Sequence, residues 1–223
     1  MAKPAAENIR VLIADDHAIV REGLKQIISD SANLVVAYEA GSAQQAIQRL
    51  RSSHGEIDIL LLDISLPDKN GIEVLKRVRK EFPAIAVLIL TMHREDQYAL
   101  RAIKAGASGY LNKQSVPAEL VTALREVTSG RKYISPSLAQ ELANRIGTDE
   151  GDQPHESLSD REYQTLLMIA SGKTVGDIAN DLSLSPKTIS MYRSRLLQKM
   201  NMRHNAELTH YAISYQLLPE LIA

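Results

Sequence analysis

Three runs in the first part of the chain, "IRVLIAD" (Ile9 to Asp15), "IDILLLD" (Ile57 to Asp63) and "AVLILT" (Ala86 to Thr91), are almost wholly apolar and end on a polar residue. A strand that is apolar on both faces needs cover on both, which is the condition of strands in a parallel sheet flanked by helices. Parallel neighbours cannot be joined by tight hairpins, so a helix has to carry the chain back between them. The intervening sequence provides such helices. "LVVAYEA" (Leu34 to Ala40) and "SGYLNK" (Ser108 to Lys113) complete the strand set. Between and after the strands, apolar residues recur three and four apart: Val20, Leu24, Ile27 and Ile28; Ala43, Ala46, Ile47 and Leu50; Ile72, Leu75 and Val78; Tyr98, Ala99, Ala102 and Ile103; Leu120, Val121, Leu124 and Val127. This periodicity predicts five strand-helix units in an α/β domain.

A chain of 223 residues has room for a second domain. After Gly130, "ISPSLAQELANRI" predicts a further helix opened by Ser135 with Pro136 at its first position, ending at Gly147. From Gly147 to Ser157, "GTDEGDQPHES" carries Asp149, Glu150, Asp152 and Glu156 and no Lys or Arg, which predicts a flexible acidic linker. Residues 131–157 thus form a linker region, and residues 158–218 an all-α domain of four short helices. "LSDRE" places Ser159 as N-cap and Glu162 three residues on, a capping box, with Leu158 and Tyr163 flanking it as a hydrophobic staple. Gly172 closes that helix. A second helix is led by Thr174 and stops near Leu182, "SLS" makes a tight turn, Ser185 caps a third helix with Pro186 at its first position, and a fourth starts near Asn205 and runs past Tyr215.

Composition removes several function classes. There is no cysteine, which excludes disulfide scaffolds, Cys-ligated metals, iron–sulfur clusters and thiol chemistry. The longest apolar run, Ala84 to Leu90, is far short of the roughly 20 residues that span a bilayer. The start "MAKPAAENIR" has no signal-peptide stretch, so a cytoplasmic protein without membrane partners is expected. A formal net charge of −1 gives no global field that selects a nucleic acid, which leaves local charge to decide.

In an open parallel sheet, ligands bind beyond the carboxyl ends of the strands, where strand order reverses. Here the first strand ends in Asp15 and Asp16, the third in Asp63, the fourth in Thr91 and the fifth in Lys113. With the order 2-1-3-4-5 the first and third strands are neighbours, so three carboxylates converge. They repel one another unless a hard cation sits among them, and magnesium (Mg2+), which takes carboxylates, waters and phosphate oxygens, suits the set. Lys113 supplies a positive point charge and Thr91 a hydroxyl, as a phosphoryl group requires. An aspartate can itself be the nucleophile and form an aspartyl-phosphate. His17, without a His or Cys companion, reads as a solvated loop residue.

Residues 8–129 resemble the receiver domain of bacterial two-component response regulators, through "ADDH", "LLDISLPDKNG", "ILT" and "GYLNK" in that order. The resemblance implies a (βα)5 flavodoxin-like receiver over residues 8–130, with Asp63 as the phosphoacceptor served by a sensor histidine kinase. It further implies that Asp16, Asp63 and the backbone carbonyl of Ser65 bind magnesium directly and Asp15 mostly through water. Thr91 and Lys113 would contact phosphoryl oxygens, and Tyr110 would be the aromatic switch. The family often has a cis-proline after the lysine, where this chain has Gln114. A phosphatase with an Asp nucleophile is an enzyme alternative, but such enzymes typically place a second Asp two residues on, and Ser65 stands there.

The all-α domain is nearly neutral, with 7 basic and 6 acidic residues over 158–223, yet Ser185 to Arg203 holds Lys187, Arg193, Arg195, Lys199 and Arg203 and no acid. On this helix Ile189, Leu196 and Met200 form an inward stripe. Lys187, Ser190, Met191, Ser194 and Gln198 form the opposite one, suited to a major groove, with Thr188, Arg195 and Lys199 on the flank for phosphates. Residues 157–218 resemble the LuxR-type helix-turn-helix DNA-binding domain, and the two domains together resemble the NarL/FixJ subclass of response regulators. That implies a transcription factor whose phosphorylation controls dimerisation, through the last helix around Leu208 to Tyr215, and binding to an inverted-repeat operator in double-stranded DNA. Its only chemistry would be self-phosphorylation and slow autodephosphorylation, so it would not be an enzyme. Many relatives carry Lys at the position of Ser190 and His at that of Tyr192, so base contacts from Ser190 and Met191 would be weaker or apolar, as to a thymine methyl. Control of the receiver by a ligand or partner instead of phosphate is the alternative, and the intact acidic set argues against it.

Overall fold

The computed structural model describes residues 8–91, 95–135, 138–140, 153–215 and 217–218. The chain divides into two compact units, Met1–Arg145 and Ile146–Ala223. Most of the expected linker helix and the acidic run from Gly147 to Asp152 lie outside the described residues.

In the first unit, strands β1 (Ile9–Ala14), β2 (Leu34–Ala40), β3 (Ile59–Asp63), β4 (Ala86–Thr91) and β5 (Gly109–Asn112) form one sheet in the order β2-β1-β3-β4-β5. Every pairing is parallel. Helices α1 (Ala18–Ser29), α2 (Ala43–Ser52), α3 (Gly71–Glu81), α4 (Glu95–Lys104) and α5 (Val116–Thr128) make the crossovers. This is the expected (βα)5 fold. Val11, Ile13, Ile59, Leu61, Leu88, Leu90 and Leu111 pack with Leu24 and Ile28 of α1 and Leu120, Leu124 and Val127 of α5 in one core. Their strand neighbours Leu12, Leu60, Leu62 and Ile89 are also fully buried. Side chains alternate along a strand, so these point to the opposite face. That burial on both faces is why the runs read as continuous apolar sequence.

β3 begins at Ile59, two residues later than the apolar run suggests, although Asp58 is already tied to both neighbours: its N–H donates to the Arg10 carbonyl at 2.9 Å, its carbonyl accepts the Ala86 N–H at 3.0 Å, and its carboxylate accepts the Arg10 N–H at 2.8 Å. The second unit has a 3-10 turn (Pro154–Ser157) followed by α6 (Asp160–Ala170), α7 (Val175–Asp181), α8 (Pro186–Lys199) and α9 (Asn205–Ser214). Capping boxes open α6 at Ser159 and Glu162 and α7 at Thr174 and Asp177. Leu166, Ile178, Ile189, Leu196 and Leu208 are fully buried and form the interior of the unit. α9 ends at Ser214 with Tyr215 as its C-cap, so it stops short of the predicted run past Tyr215. No described helix is long and apolar enough to cross a membrane.

Candidate functional site

Register brings the strand ends together. Ala14 pairs with Leu62, Asp63 with Leu90, and Thr91 with Asn112, so Asp15, Asp63, Thr91 and Lys113 all emerge at the carboxyl edge of the sheet. Asp15 and Thr91 are fully buried and Asp63 is nearly so, while Asp16 is exposed. Ligand atoms from Asp15, Asp16, His17 and Asp63 lie within 4.8 Å of one another. The Lys113 Nζ bridges the two buried acids, 2.9 Å from Asp63 Oδ2 and 2.6 Å from Asp15 Oδ2. Only the Asp63 contact has hydrogen-bond alignment, so Asp15 Oδ2 is buried without a hydrogen-bond donor.

The electrostatics follow from this crowding. Burial pushes the Asp63 carboxyl above its ordinary value; Lys113 pulls it down and the Asp15 charge pushes it up again. For Lys113, burial works against the charge, but Asp63 and Asp15 outweigh it and hold the pKa above the usual lysine value. Two unit charges about 4 Å apart interact by roughly 4 kcal/mol at the effective dielectric near a protein surface. One lysine therefore does not neutralise three carboxylates. A hard-oxygen donor set with surplus negative charge, and one buried oxygen lacking a donor, fits a divalent cation. His17 stands at the rim, 62% exposed, with Nδ1 2.7 Å from Asp16 Oδ1 and 3.4 Å from Asp15 Oδ1. It is solvated as expected, yet it also contacts the carboxylates.

The loop from β3 to α3 carries Ser65, whose N–H donates to Asp63 Oδ1 at 3.2 Å. That loop is pinned at both ends. At position 71 a Cβ would sit 2.4 Å from the Asp63 carbonyl oxygen and 2.6 Å from Ile64 Cα, so only glycine lets α3 start there. Asn70 caps α3 by accepting the N–H of Ile72 at 2.9 Å. Asp68, which the sequence shows only as a turn residue, accepts the N–H groups of Ala43 and Gln44 at 2.8 Å each, at the start of α2. Arg21 of α1, also missed by sequence reasoning, donates to the Asp15 carbonyl at 2.8 Å and to Glu39 at 3.2 Å. No residue type or spacing in the sequence announces either contact. Tyr110 is fully buried on β5. No cis peptide bond occurs among the described residues, Lys113–Gln114 included.

In the second unit, α8 presents Lys187, Ser190, Met191, Ser194, Arg195, Gln198 and Lys199 to solvent, while Ile189, Leu196 and Met200 are buried as the inward stripe. Thr188 is half-buried and its hydroxyl lies 2.8 Å from that of the N-cap Ser185. The basic residues divide by partner. Lys199 donates to Glu162 Oε2 at 2.7 Å, and Arg193 donates to Asn205 at the start of α9 at 2.6 Å. Among the described residues no acid pairs with Lys187 or Arg195. Lys199, expected on the phosphate-facing flank, is thus already bound to the α6 capping box.

Residues 11–125 match the response regulator receiver domain, and residues 156–212 match the luxR family of bacterial regulatory proteins. The chain belongs to the response regulators, in the NarL/FixJ-type class that joins a receiver to a LuxR-type helix-turn-helix domain and works as a transcription factor. It is 38% identical to response regulator UvrY of Escherichia coli K12 over 210 residues, 94% of this chain and 95% of that one. Response regulator GacA of Pseudomonas aeruginosa is 35% identical over 211 residues, 94% of this chain and 98% of its own. A solved structure of RcsB from Salmonella enterica serovar Typhimurium, bound to promoter rprA with the phosphomimetic BeF3-, has a TM-score of 0.64 at 26% identity, covering 92% of this chain and 98% of RcsB.

Proposed function

We propose that Asp63 accepts a phosphoryl group from the phosphohistidine of a sensor histidine kinase, and that the aspartyl-phosphate controls dimerisation and DNA binding by α8. The observation that carries this reading is the nearly buried Asp63 carboxylate held 2.9 Å from Lys113 at a strand end, with Thr91 buried beside it on the neighbouring strand. An Asp63 oxygen attacks phosphorus in line with the donor nitrogen. The O–P bond forms, the P–N bond breaks, and its electron pair returns to the donor imidazole. Lys113 and the Thr91 hydroxyl take the phosphoryl oxygens as the dianion builds. Magnesium, held by Asp16, Asp63 and the Ser65 carbonyl with Asp15 through water, supplies charge neutralisation when bound.

The new dianion draws Lys113 and Thr91 towards it and shifts the surface around β4, β5 and Tyr110 between two states. Dimerisation through α9 then sets two copies of α8 about one DNA turn apart, matching an inverted repeat. Lys187, Thr188, Arg195 and Lys199 contact phosphates, and Ser190, Met191 and Ser194 face base edges. Solved RcsB–DNA complexes, among them two RcsB dimers on two parallel DNAs, support DNA binding and a dimeric state. The protein acts in the cytoplasm, where the DNA is.

Intact mass after incubation with acetyl phosphate and Mg2+ tests the reading. One phosphoryl adduct is expected on wild type and none on Asp63→Asn. An adduct on both would move the acceptor elsewhere. None on either, with purified kinase also failing, would favour a receiver controlled by ligand or partner.

A further inference from the structure

Beyond α5 the chain does not leave the receiver directly. It turns back and lies along the outer edge of β5, where Tyr133 forms a parallel bridge with Gly109. The Tyr133 N–H donates to the Ser108 carbonyl at 3.0 Å, and the Tyr133 carbonyl accepts the N–H of Tyr110 at 3.1 Å. The phenol fixes the segment a third time, donating to Glu119 of α5 at 2.7 Å. Position 109 is shaped for this contact. A Cβ there would meet the Tyr133 carbonyl oxygen at 2.9 Å and Leu88 Cδ1 at 2.9 Å, so a side chain would push the segment off the strand. The packed path continues, since Ser135 and Leu138 are buried and the Ser135 hydroxyl accepts the Leu138 N–H at 3.2 Å.

β5 therefore carries attachments at both ends. Past its last residue, Lys113 reaches Asp63 and its own N–H donates to the Thr91 carbonyl at 2.7 Å. At its start, Gly109 and Tyr110 hold the strap. A four-residue strand is short enough to move as one body, because its backbone bonds fix its register as a unit.

We propose that Tyr133 is a positioning residue of the phosphorylation switch: its backbone strap clamps Tyr110 and converts movement of β5 into movement of the chain that leads to the DNA-binding unit. The proposal rests on phosphorylation of Asp63. A strap that only covered a sheet edge would hold equally in both phosphorylation states.

Amide hydrogen exchange on the full chain tests it, with intact mass measured in parallel before and after acetyl phosphate and Mg2+. The Lys113 amide reports the site, and the Tyr110 and Tyr133 amides report the strap. In wild type, phosphorylation should shift protection at Tyr110 and Tyr133 in the same direction and by a similar factor, alongside Lys113. In Gly109→Ala, protection of the Tyr133 amide should fall roughly tenfold before phosphorylation and then respond no further, while the mass adduct persists. If wild type gains the adduct and Lys113 responds but Tyr110 and Tyr133 do not, the proposal is overturned and the phosphorylation reading stands. If wild type gains no adduct from acetyl phosphate or kinase, both fall together. The wild-type comparison decides even if Gly109→Ala does not fold.

Discussion

At the residue scale, the acidic set is a compromise between stability and reactivity. Asp63 has its pKa raised by burial, so the folded state takes up a proton more readily than the unfolded chain. The sign follows from linkage. An ionised carboxylate with a raised folded pKa costs stability above that pKa, and the cost disappears as pH falls below the unfolded value near 3.9. Asp63→Asn should therefore raise the urea midpoint of the receiver at pH 7 in magnesium-free buffer, with the gain vanishing towards pH 4. A lower midpoint for the variant at pH 7 would contradict this account. Lys113→Met should act in the opposite direction, by about 3 kcal/mol, since it leaves two buried carboxylates without their cation. Adding Asp63→Asn to it should recover part of that loss.

Lys199 and Lys187 lie on one helix, but their variants should behave differently. Lys187→Ala should flatten the salt dependence of binding to duplex DNA by about one unit of slope and leave the unfolding midpoint unchanged. Lys199→Ala should also lower the midpoint, because it removes the partner of Glu162, whose carboxylate is held below its ordinary pKa: burial opposes this, and Lys199 and Ser159 prevail. That stabilisation is present above the unfolded Glu value of about 4.3 and is lost as pH falls through the lower folded one. The gap between wild type and Lys199→Ala should accordingly close in acid, as thermal melts at several pH values would show.

At the scale of elements, what the sequence revealed is what local pattern can encode. The ends of β1, β3, β4 and β5 follow from where an apolar run stops, and with them Asp15, Asp63, Thr91 and Lys113. The capping box at Ser159 and Glu162 and the inward stripe of α8 are likewise confined to a few neighbouring residues. Asp68 was not legible, because its partners lie 25 and 24 residues away and an aspartate between proline and glycine reads as turn chemistry. The Lys199 contact spans 37 residues, and a helical wheel places the side chain on a flank without naming what stands opposite. Tyr133 falls where composition suggests a linker, and only the register of the sheet edge shows that it is paired. The Asp68 carboxylate satisfies two backbone donors at the positive end of the α2 dipole. Asp68→Ala should destabilise the receiver by about 1–2 kcal/mol in urea titrations, and Asp68→Asn by less.

At the scale of the whole molecule, each unit holds its own set of fully buried side chains, so neither needs the other to bury a core. Residues 153–218 alone should retain their helical circular dichroism and melt cooperatively. The margin should be only a few kcal/mol, as expected of a domain this small. A non-cooperative melt would show that the unit depends on the receiver for its fold. In the full chain the two units should then give separable transitions, with magnesium shifting only the one that belongs to the receiver.

The contact at Gly71 has a consequence for inheritance. Every amino acid reachable from a glycine codon by one base change carries a Cβ, and here the first carbon added falls on the backbone of the acidic residue that begins the loop. Any residue other than glycine at position 71 has to displace that backbone. The solvent-facing positions of α8 carry no such restriction, because a new side chain there extends into water, while position 71 has no room for a side chain of any kind.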